Sequence, residues 1–443
     1  MRYVSTRRNC QPVSFQDAIL QGLAPDGGLY LPEVTPQLPL HFLEHIAEYS
    51  LQEIGELTTS LFVENEVSKE GINHIIKNSL TFPAPITKLS DSLSVLELFH
   101  GPSLAFKDFG ARFMAQTMGW FVKQKDNPLH ILVATSGDTG GAVADGFLNV
   151  PGITVSILYP HGGVTEIQER QLTTNAGNVE AYRVEGTFDD CQRMVKEAFL
   201  DNELQERKNL SSANSINIAR LIPQTFYYLY ALSTMYSAGS PQKIPVSFSV
   251  PSGNLGNITA GVFAKKMGAP IKHLISATNV NDTLPRYLQS GSFEPRPAKS
   301  TISNAMDVGN PSNFERLDAL YQGEHTGLSQ EILGFAFDDQ TTRAEMKKCL
   351  EQWSYLTEPH TAVAISAARE YLEKQRVQLA NGESEVVIAL GTAHPIKFSD
   401  TVEETCGTLP PMPESVRTIF QKEKQFTALP PSFAELKECL LSS

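Results

Sequence analysis

No two of the five cysteines in this chain, Cys10, Cys191, Cys349, Cys406 and Cys439, stand in a C-x-x-C spacing. That argues against a disulfide framework and a structural zinc site, and it fits a reducing compartment. Positive charge is also short: 36 Lys and Arg against 49 Asp and Glu leave a net charge of -13. An acidic surface repels a phosphate backbone, so nucleic acid is not expected as a partner. Any anionic substrate has to be drawn in by a local site against the overall field. Long apolar runs are missing as well. The basic stretch at residues 1–8 is not followed by one, so no signal peptide is expected. No segment approaches the length of a membrane span. These absences together read as a cytoplasmic protein with no membrane partner. Neither G-x-G-x-x-G nor the G-K-[ST] ending of a P-loop is found at the glycine-rich turns, which sets aside dinucleotide binding and NTP hydrolysis.

What is present is the material of a globular protein, with 41% hydrophobic and 19% charged residues over 443 positions. That length predicts two domains and an accessory segment. Residues 1–95 alternate turn signals, such as Ala24-Pro-Asp-Gly-Gly28, with short helical patterns, and form the N-terminal accessory segment. There His41-Phe-Leu-Glu44-His45 fits an H-x-x-E-H zinc pattern, but no further ligand accompanies it. It reads as part of a surface helix, and no metal is expected. Apolar runs at 129–134, 153–158, 179–184, 246–250, 273–277 and 386–390 read as buried strands. Helical patterns such as 166–176 and 188–200 lie between them. This rhythm predicts an α/β fold of right-handed βαβ units with parallel sheets covered on both faces. The expected division is a smaller domain at 96–240 and a larger one at 241–443.

In such sheets ligands bind beyond the carboxyl ends of the strands. Two strands run into glycine-rich turns there: Thr135-Ser-Gly-Asp-Thr-Gly-Gly141 and Pro251-Ser-Gly-Asn-Leu-Gly-Asn257. Each would present backbone N–H groups at the positive end of a helix dipole, which suits an anion. Either turn alone could be a plain strand-to-helix connection. Two together suggest two anions held near each other, such as a phosphorylated cofactor and an anionic substrate. A third segment, His100-Gly-Pro-Ser-Leu-Ala-Phe-Lys107-Asp-Phe-Gly110, sets a lysine among apolar residues. Such a setting lowers an amine's pKa and lets it form a Schiff base, although a lysine beside phenylalanines also commonly just snorkels.

The three segments His100–Gly110, Thr135–Ala142 and Ser252–Asn257 resemble the signatures of fold type II pyridoxal-phosphate enzymes. The first is similar to the threonine synthases in particular. Tyr3-Val-Ser-Thr-Arg7 and Ala24-Pro-Asp-Gly-Gly-Leu-Tyr-Leu-Pro32 resemble the longer bacterial and fungal members. The resemblance runs from about residue 1 to about residue 430. It implies two parallel-sheet-rich α/β domains with the active site between them, pyridoxal 5'-phosphate as cofactor, and O-phospho-L-homoserine as substrate. The implied reaction yields L-threonine and phosphate by γ-elimination and β-hydration; the motifs alone leave open a phospho-lyase forming 2-oxobutyrate, or a dehydratase. Monomer and homodimer both stay open.

Carried over by position, Lys107 would hold the cofactor as a Schiff base. Gly253, Asn254, Leu255, Gly256 and Asn257 would cradle its phosphate. Thr392, in Leu390-Gly-Thr-Ala-His-Pro-Ile-Lys-Phe398, would meet the pyridine nitrogen, although a helix N-cap explains it equally well on local grounds. Thr135, Ser136 and Thr139 would bind the substrate's carboxylate or phosphate. Asn214, Ser215 and Arg220 would clamp the substrate phosphate with amide, hydroxyl and guanidinium donors. One position departs from the common pattern. Asp138 stands where many relatives place Asn beside the cofactor's phenolic oxygen, and a carboxylate there would repel a phenolate unless one of the two is protonated.

Overall fold

The structure is a computed structural model that describes residues 1–123, 128–135, 137–236, 244–378 and 385–442. Strands β1 (Tyr3–Ser5) and β2 (Tyr30–Pro32) pair antiparallel near the N-terminus. Next come β3 (Ile86–Lys88), β4 (Leu93–Glu97), β5 (Leu129–Ala134), β6 (Ile153–Pro160), β7 (Val179–Val184) and β8 (Asn209–Ser211). Last are β9 (Val246–Pro251), β10 (Ile271–Thr278), β11 (Ile332–Ala336), β12 (Val386–Gly391) and β13 (Thr427–Leu429).

Two sheets carry the fold. The larger has the order β11-β10-β9-β12-β4-β3 and is parallel except for the β3–β4 edge. The smaller has the order β13-β7-β6-β5-β8 and is wholly parallel. Every residue of β9 and of β12 is buried, as expected of central strands covered by helices on both faces. Two of the helices between strands begin at side-chain caps. Thr165 and Thr187 each close a capping box at the predicted starts of Glu166–Thr173 and Phe188–Leu200. The first of these ends at Thr173 rather than 176, because the chain turns through Gly177 at φ 89°.

Sheet membership does not follow chain order. β4 lies next to β12, and β13, near the C-terminus, closes the edge of the smaller sheet. The N-terminal segment is packed onto the rest, sharing one apolar core with helices and strands of both sheets through Tyr3, Phe15, Ile19 and Tyr30. No helix among the described residues is long and apolar enough to cross a membrane.

Candidate active site

Four segments that matter to the site follow the carboxyl ends of β4, β5, β9 and β12, where ligands collect in parallel sheets. β4 and β12 are neighbours, and their extensions stay together. Phe106 N–H donates to Thr392 O at 2.9 Å, Ala105 bridges Ala393, and His394 N–H donates to Leu104 O at 3.0 Å. Leu104 adopts a left-handed φ of 59° to make that approach. The helix Lys107–Val122 starts immediately afterwards, so Lys107 is set at its first residue by backbone pairing on the adjoining strand's extension. Thr392 is buried but does not cap the following short helix; His394 does, accepting Ile396 N–H at 3.1 Å through Nδ1. The helix-cap alternative for Thr392 is thereby removed.

Lys107 faces a charged cluster. Burial lowers its pKa from the ordinary lysine value; Asp138 opposes that shift, and the Lys397 and Arg220 cations add to it. Asp138 is the first residue of the helix Asp138–Phe147. Its Oδ1 accepts Lys397 Nζ at 2.8 Å and Gln168 Nε2 at 2.9 Å. Burial alone would raise the carboxyl, but the Lys397 and Lys107 cations and these hydrogen bonds hold it well below the usual carboxylate range. Lys397 also donates to Ser103 O at 2.6 Å and Gln171 Oε1 at 3.0 Å, so its three donors are all spent. The departure at Asp138 thus has a physical answer. A buried carboxylate is matched by a second buried lysine, Lys397, to which the sequence motif around Thr392 assigns no role. Its signal was a lysine in the apolar run Pro395–Phe398.

Arg220 lies in the helix Ile218–Leu221 and is only 3% exposed, so it is not a surface arginine. Its Nη1 donates to Ala213 O at 2.7 Å, while Nε is buried with no partner among the described residues. Burial draws its pKa down to about 10, with Asp108 opposing. Gly110 makes room for it: a Cβ there would meet Arg220 Nε at 2.8 Å. Asp108, beside Lys107, is a buried carboxyl that burial pushes up to about 7; its Oδ2 accepts Ser103 N–H at 2.9 Å.

The turn after β9 carries one buried side-chain donor, Asn257 Nδ2, without a partner among the described residues. Asn257 Oδ1 accepts the hydroxyls of Tyr227 at 2.7 Å and Tyr228 at 2.8 Å, which orients the amide and leaves its buried Nδ2 unmatched among the described residues. It stands in the first turn of the helix Gly256–Lys266, whose N-terminal N–H groups favour an anion. Leu255 sits there at a left-handed φ of 60°, a conformation costing about 1–3 kcal/mol. At Gly253 a Cβ would meet Ala305 O and Met306 Cα at 2.9 Å each. Asn254 Nδ2 donates to Ser215 Oγ at 2.8 Å, joining this turn to the Asn214–Arg220 segment. A phosphate fits this donor set, and an amine-reactive carbonyl fits Lys107, so the residues present suit a phosphorylated aldehyde cofactor.

In the turn after β5, Thr135 Oγ1 accepts the N–H groups of Gly137 at 3.2 Å and Gly140 at 2.9 Å, so its hydroxyl shapes the turn in this arrangement. Thr139 is partly exposed, and Ser136 lies outside the described residues. His41, Glu44 and His45 place their ligand atoms within 4.8 Å of one another on the surface of the accessory segment. They belong to none of the four segments.

Comparison with known proteins agrees with this geometry. The family described as threonine synthase N terminus matches residues 2–80, pyridoxal-phosphate dependent enzyme matches 83–391, and threonine synthase, C-terminal, matches 361–440. The chain is 40% identical over 441 residues to a threonine synthase of Serratia marcescens, covering 100% of this chain and 99% of that protein. It is 39% identical to that of Escherichia coli, covering 100% of both. Among solved structures, pyridoxal-phosphate-bound threonine synthase from Brucella melitensis superposes with a TM-score of 0.92 at 35% identity, covering 100% of this chain and 99% of that one. The yeast enzyme gives 0.91 at 33%, covering 99% and 98%. The chain belongs to the threonine synthase family of pyridoxal-phosphate enzymes.

Proposed function

We propose that this chain converts O-phospho-L-homoserine and water to L-threonine and inorganic phosphate, with the residue roles set out below. The observation that carries the reading is a buried lysine beside two distinct sets of anion donors, the Gly253–Asn257 turn and the segment ending in Arg220. A dehydratase has no use for the second set. Pyridoxal phosphate, when bound, supplies an electron sink that acidifies the substrate's Cα and Cβ protons. Lys107 would carry it, Gly253–Asn257 would hold its phosphate, and the Thr392 hydroxyl would face its ring nitrogen.

Lys107 Nζ, once the substrate amine held its place, would be the base. It would take the Cα proton and hand it on before moving a Cβ proton to Cγ as phosphate leaves. Water's hydroxyl then adds at Cβ, its other proton goes to the released phosphate, and the Cα proton is restored. Its depressed pKa keeps a neutral fraction available for this work. Asp138 stays ionised throughout and balances Lys107 and Lys397. Arg220, with Asn214 and Ser215, binds the substrate phosphate and stabilises the charge it gains as the Cγ–O bond breaks. Thr139 lies at the turn that would meet the substrate's carboxylate. All these residues belong to one chain, so the reading needs no partner copy and suits a monomer or a homodimer. We place the enzyme in the cytoplasm, with its bacterial biosynthetic relatives.

The test is product analysis of the protein incubated with O-phospho-L-homoserine and pyridoxal phosphate. One threonine per phosphate released is expected; 2-oxobutyrate as the main product would replace this reading with the phospho-lyase one. A second expectation concerns Lys397. Lys397→Met removes a cation that lowers the Lys107 pKa and leaves Asp138 to act on Lys107 undivided. Both changes raise that pKa, so the acid limb of the kcat profile, which reports the complex in which Lys107 is a free amine, should move to higher pH. An unmoved limb would show that the pair does not act on Lys107.

A further inference from the structure

Arg316 is one of the largest fully buried side chains, and among the described residues none of its hydrogen bonds goes to a carboxylate. It projects from the helix Phe314–Leu320, outside every motif singled out in the sequence. Its Nε donates to Tyr30 O at 3.2 Å, its Nη1 to Asn313 Oδ1 at 2.7 Å, and its Nη2 to Ile216 O. Each acceptor belongs to a different part of the molecule. Tyr30 is in β2 of the N-terminal segment. Ile216 lies between Ser215 and Asn217 in the segment that ends at Arg220. Asn313 donates in turn to Asn254 O at 3.0 Å, and the adjacent Ser312 N–H donates to Asn254 Oδ1 at 2.6 Å, within the proposed cofactor cradle.

The N-terminal segment holds the same neighbourhood at two more points. Asn217 Nδ2 donates to Ile19 O at 2.8 Å, and Glu315, next to Arg316, pairs with Arg7 at 3.1 Å and accepts from Thr6 Oγ1. We infer that Arg316 is a positioning residue that sets the gap between the cofactor cradle at Asn254 and the substrate-phosphate segment at Ser215–Arg220, and that the N-terminal segment braces it. A planar guanidinium with diverging donors can hold three carbonyl or amide oxygens at once; an ammonium on a flexible stem cannot hold the same three in that geometry. The substrate half of this inference rests on the proposed role of Asn214, Ser215 and Arg220, while the cofactor half does not.

The experiment uses the full chain carrying Arg316→Lys. Three quantities are measured: pyridoxal-phosphate dissociation by titration, steady-state kinetics with O-phospho-L-homoserine, and Tm. The cofactor Kd and the substrate KM should rise together, each by about tenfold or more, the scale of losing hydrogen bonds from a charged donor, with kcat near wild type. A lowered Tm with unchanged Kd and KM would make Arg316 a core residue only and overturn the inference. So would a rise in one constant without the other, provided Arg220→Ala, measured alongside, still loses kcat/KM. If Arg220→Ala behaves like wild type, the substrate assignment fails by itself and the cofactor Kd alone decides the brace. Should Arg316→Lys not fold, Asn313→Ser keeps Arg316 but drops both the acceptor of its Nη1 and the amide bond to Asn254 O. It should raise the cofactor Kd, and an unchanged Kd would overturn the inference.

Discussion

Lys107→Ala should lose nearly all turnover while keeping measurable affinity for pyridoxal phosphate. The proton transfers assigned to Lys107 are alone worth about 10²–10⁴-fold, and the covalent attachment is lost with them. The cradle at Gly253–Asn257 is untouched, so the cofactor should still bind, without covalent attachment. Lys107→Arg separates chemistry from charge. It preserves the cation beside Asp138, but a guanidinium does not deprotonate, so it can neither form the Schiff base nor serve as the base. Activity should be as low in the arginine variant as in the alanine one. Substantial activity in Lys107→Arg, measured as phosphate release, would mean that Lys107 serves only as a counter-ion for Asp138.

Arg220→Ala should lower kcat/KM for O-phospho-L-homoserine by roughly two to three orders of magnitude. Removing one partner of a desolvated charge contact costs about 2–5 kcal/mol. In this structure Arg220 Nε is buried and unmatched among the described residues, so the donor is available to an incoming phosphate. Pyridoxal-phosphate affinity should barely change, because its cradle stands on a different strand's turn. Arg220→Lys should recover only part of the loss, since a point charge cannot reproduce the guanidinium fork. Steady-state phosphate release and a cofactor titration read the two effects separately. Equal losses in both would assign Arg220 to the cofactor or to the fold. Near-wild-type kinetics would move the substrate phosphate toward Thr139 and the turn after β5.

Much of the sheet was legible because central parallel strands are buried on both faces and read as unbroken apolar runs. Val386–Gly391 is of this kind, whereas Val179–Val184 was legible despite an exposed Glu180 and a half-buried Arg183. The short strands were not. β11 is mostly half-buried and carries Gly334, and β8 and β13 have three residues each, too few for any periodicity to register. The two glycine-rich turns could be marked because glycines and polar residues after apolar strands are locally unusual, and Lys107 because it is a lysine among apolar residues. The roles of Asp138 and Arg220 came from the resemblance to the threonine synthases. The partners of these residues could not be marked. Lys397 pairs with Asp138 from another strand's extension, and Arg316 meets three distant segments at once. Nothing in their own neighbourhoods encodes those contacts, which arise only when the sheets close on each other. Thr135 was marked by its residue type as a ligand contact, and the contacts its hydroxyl makes with the N–H groups of its own turn were not legible beforehand.

Two buried lysines, Lys107 and Lys397, share Asp138, and the account turns on which of them carries the cofactor. Lys397 has every donor engaged, and Lys107 has its pKa depressed by burial. Borohydride reduction of the pyridoxal-phosphate-loaded protein, followed by peptide mapping, reads this directly. The pyridoxyl group is predicted on the peptide containing Lys107 and not on the one containing Lys397. A reduced adduct on Lys397, or on any lysine other than Lys107, would contradict the account.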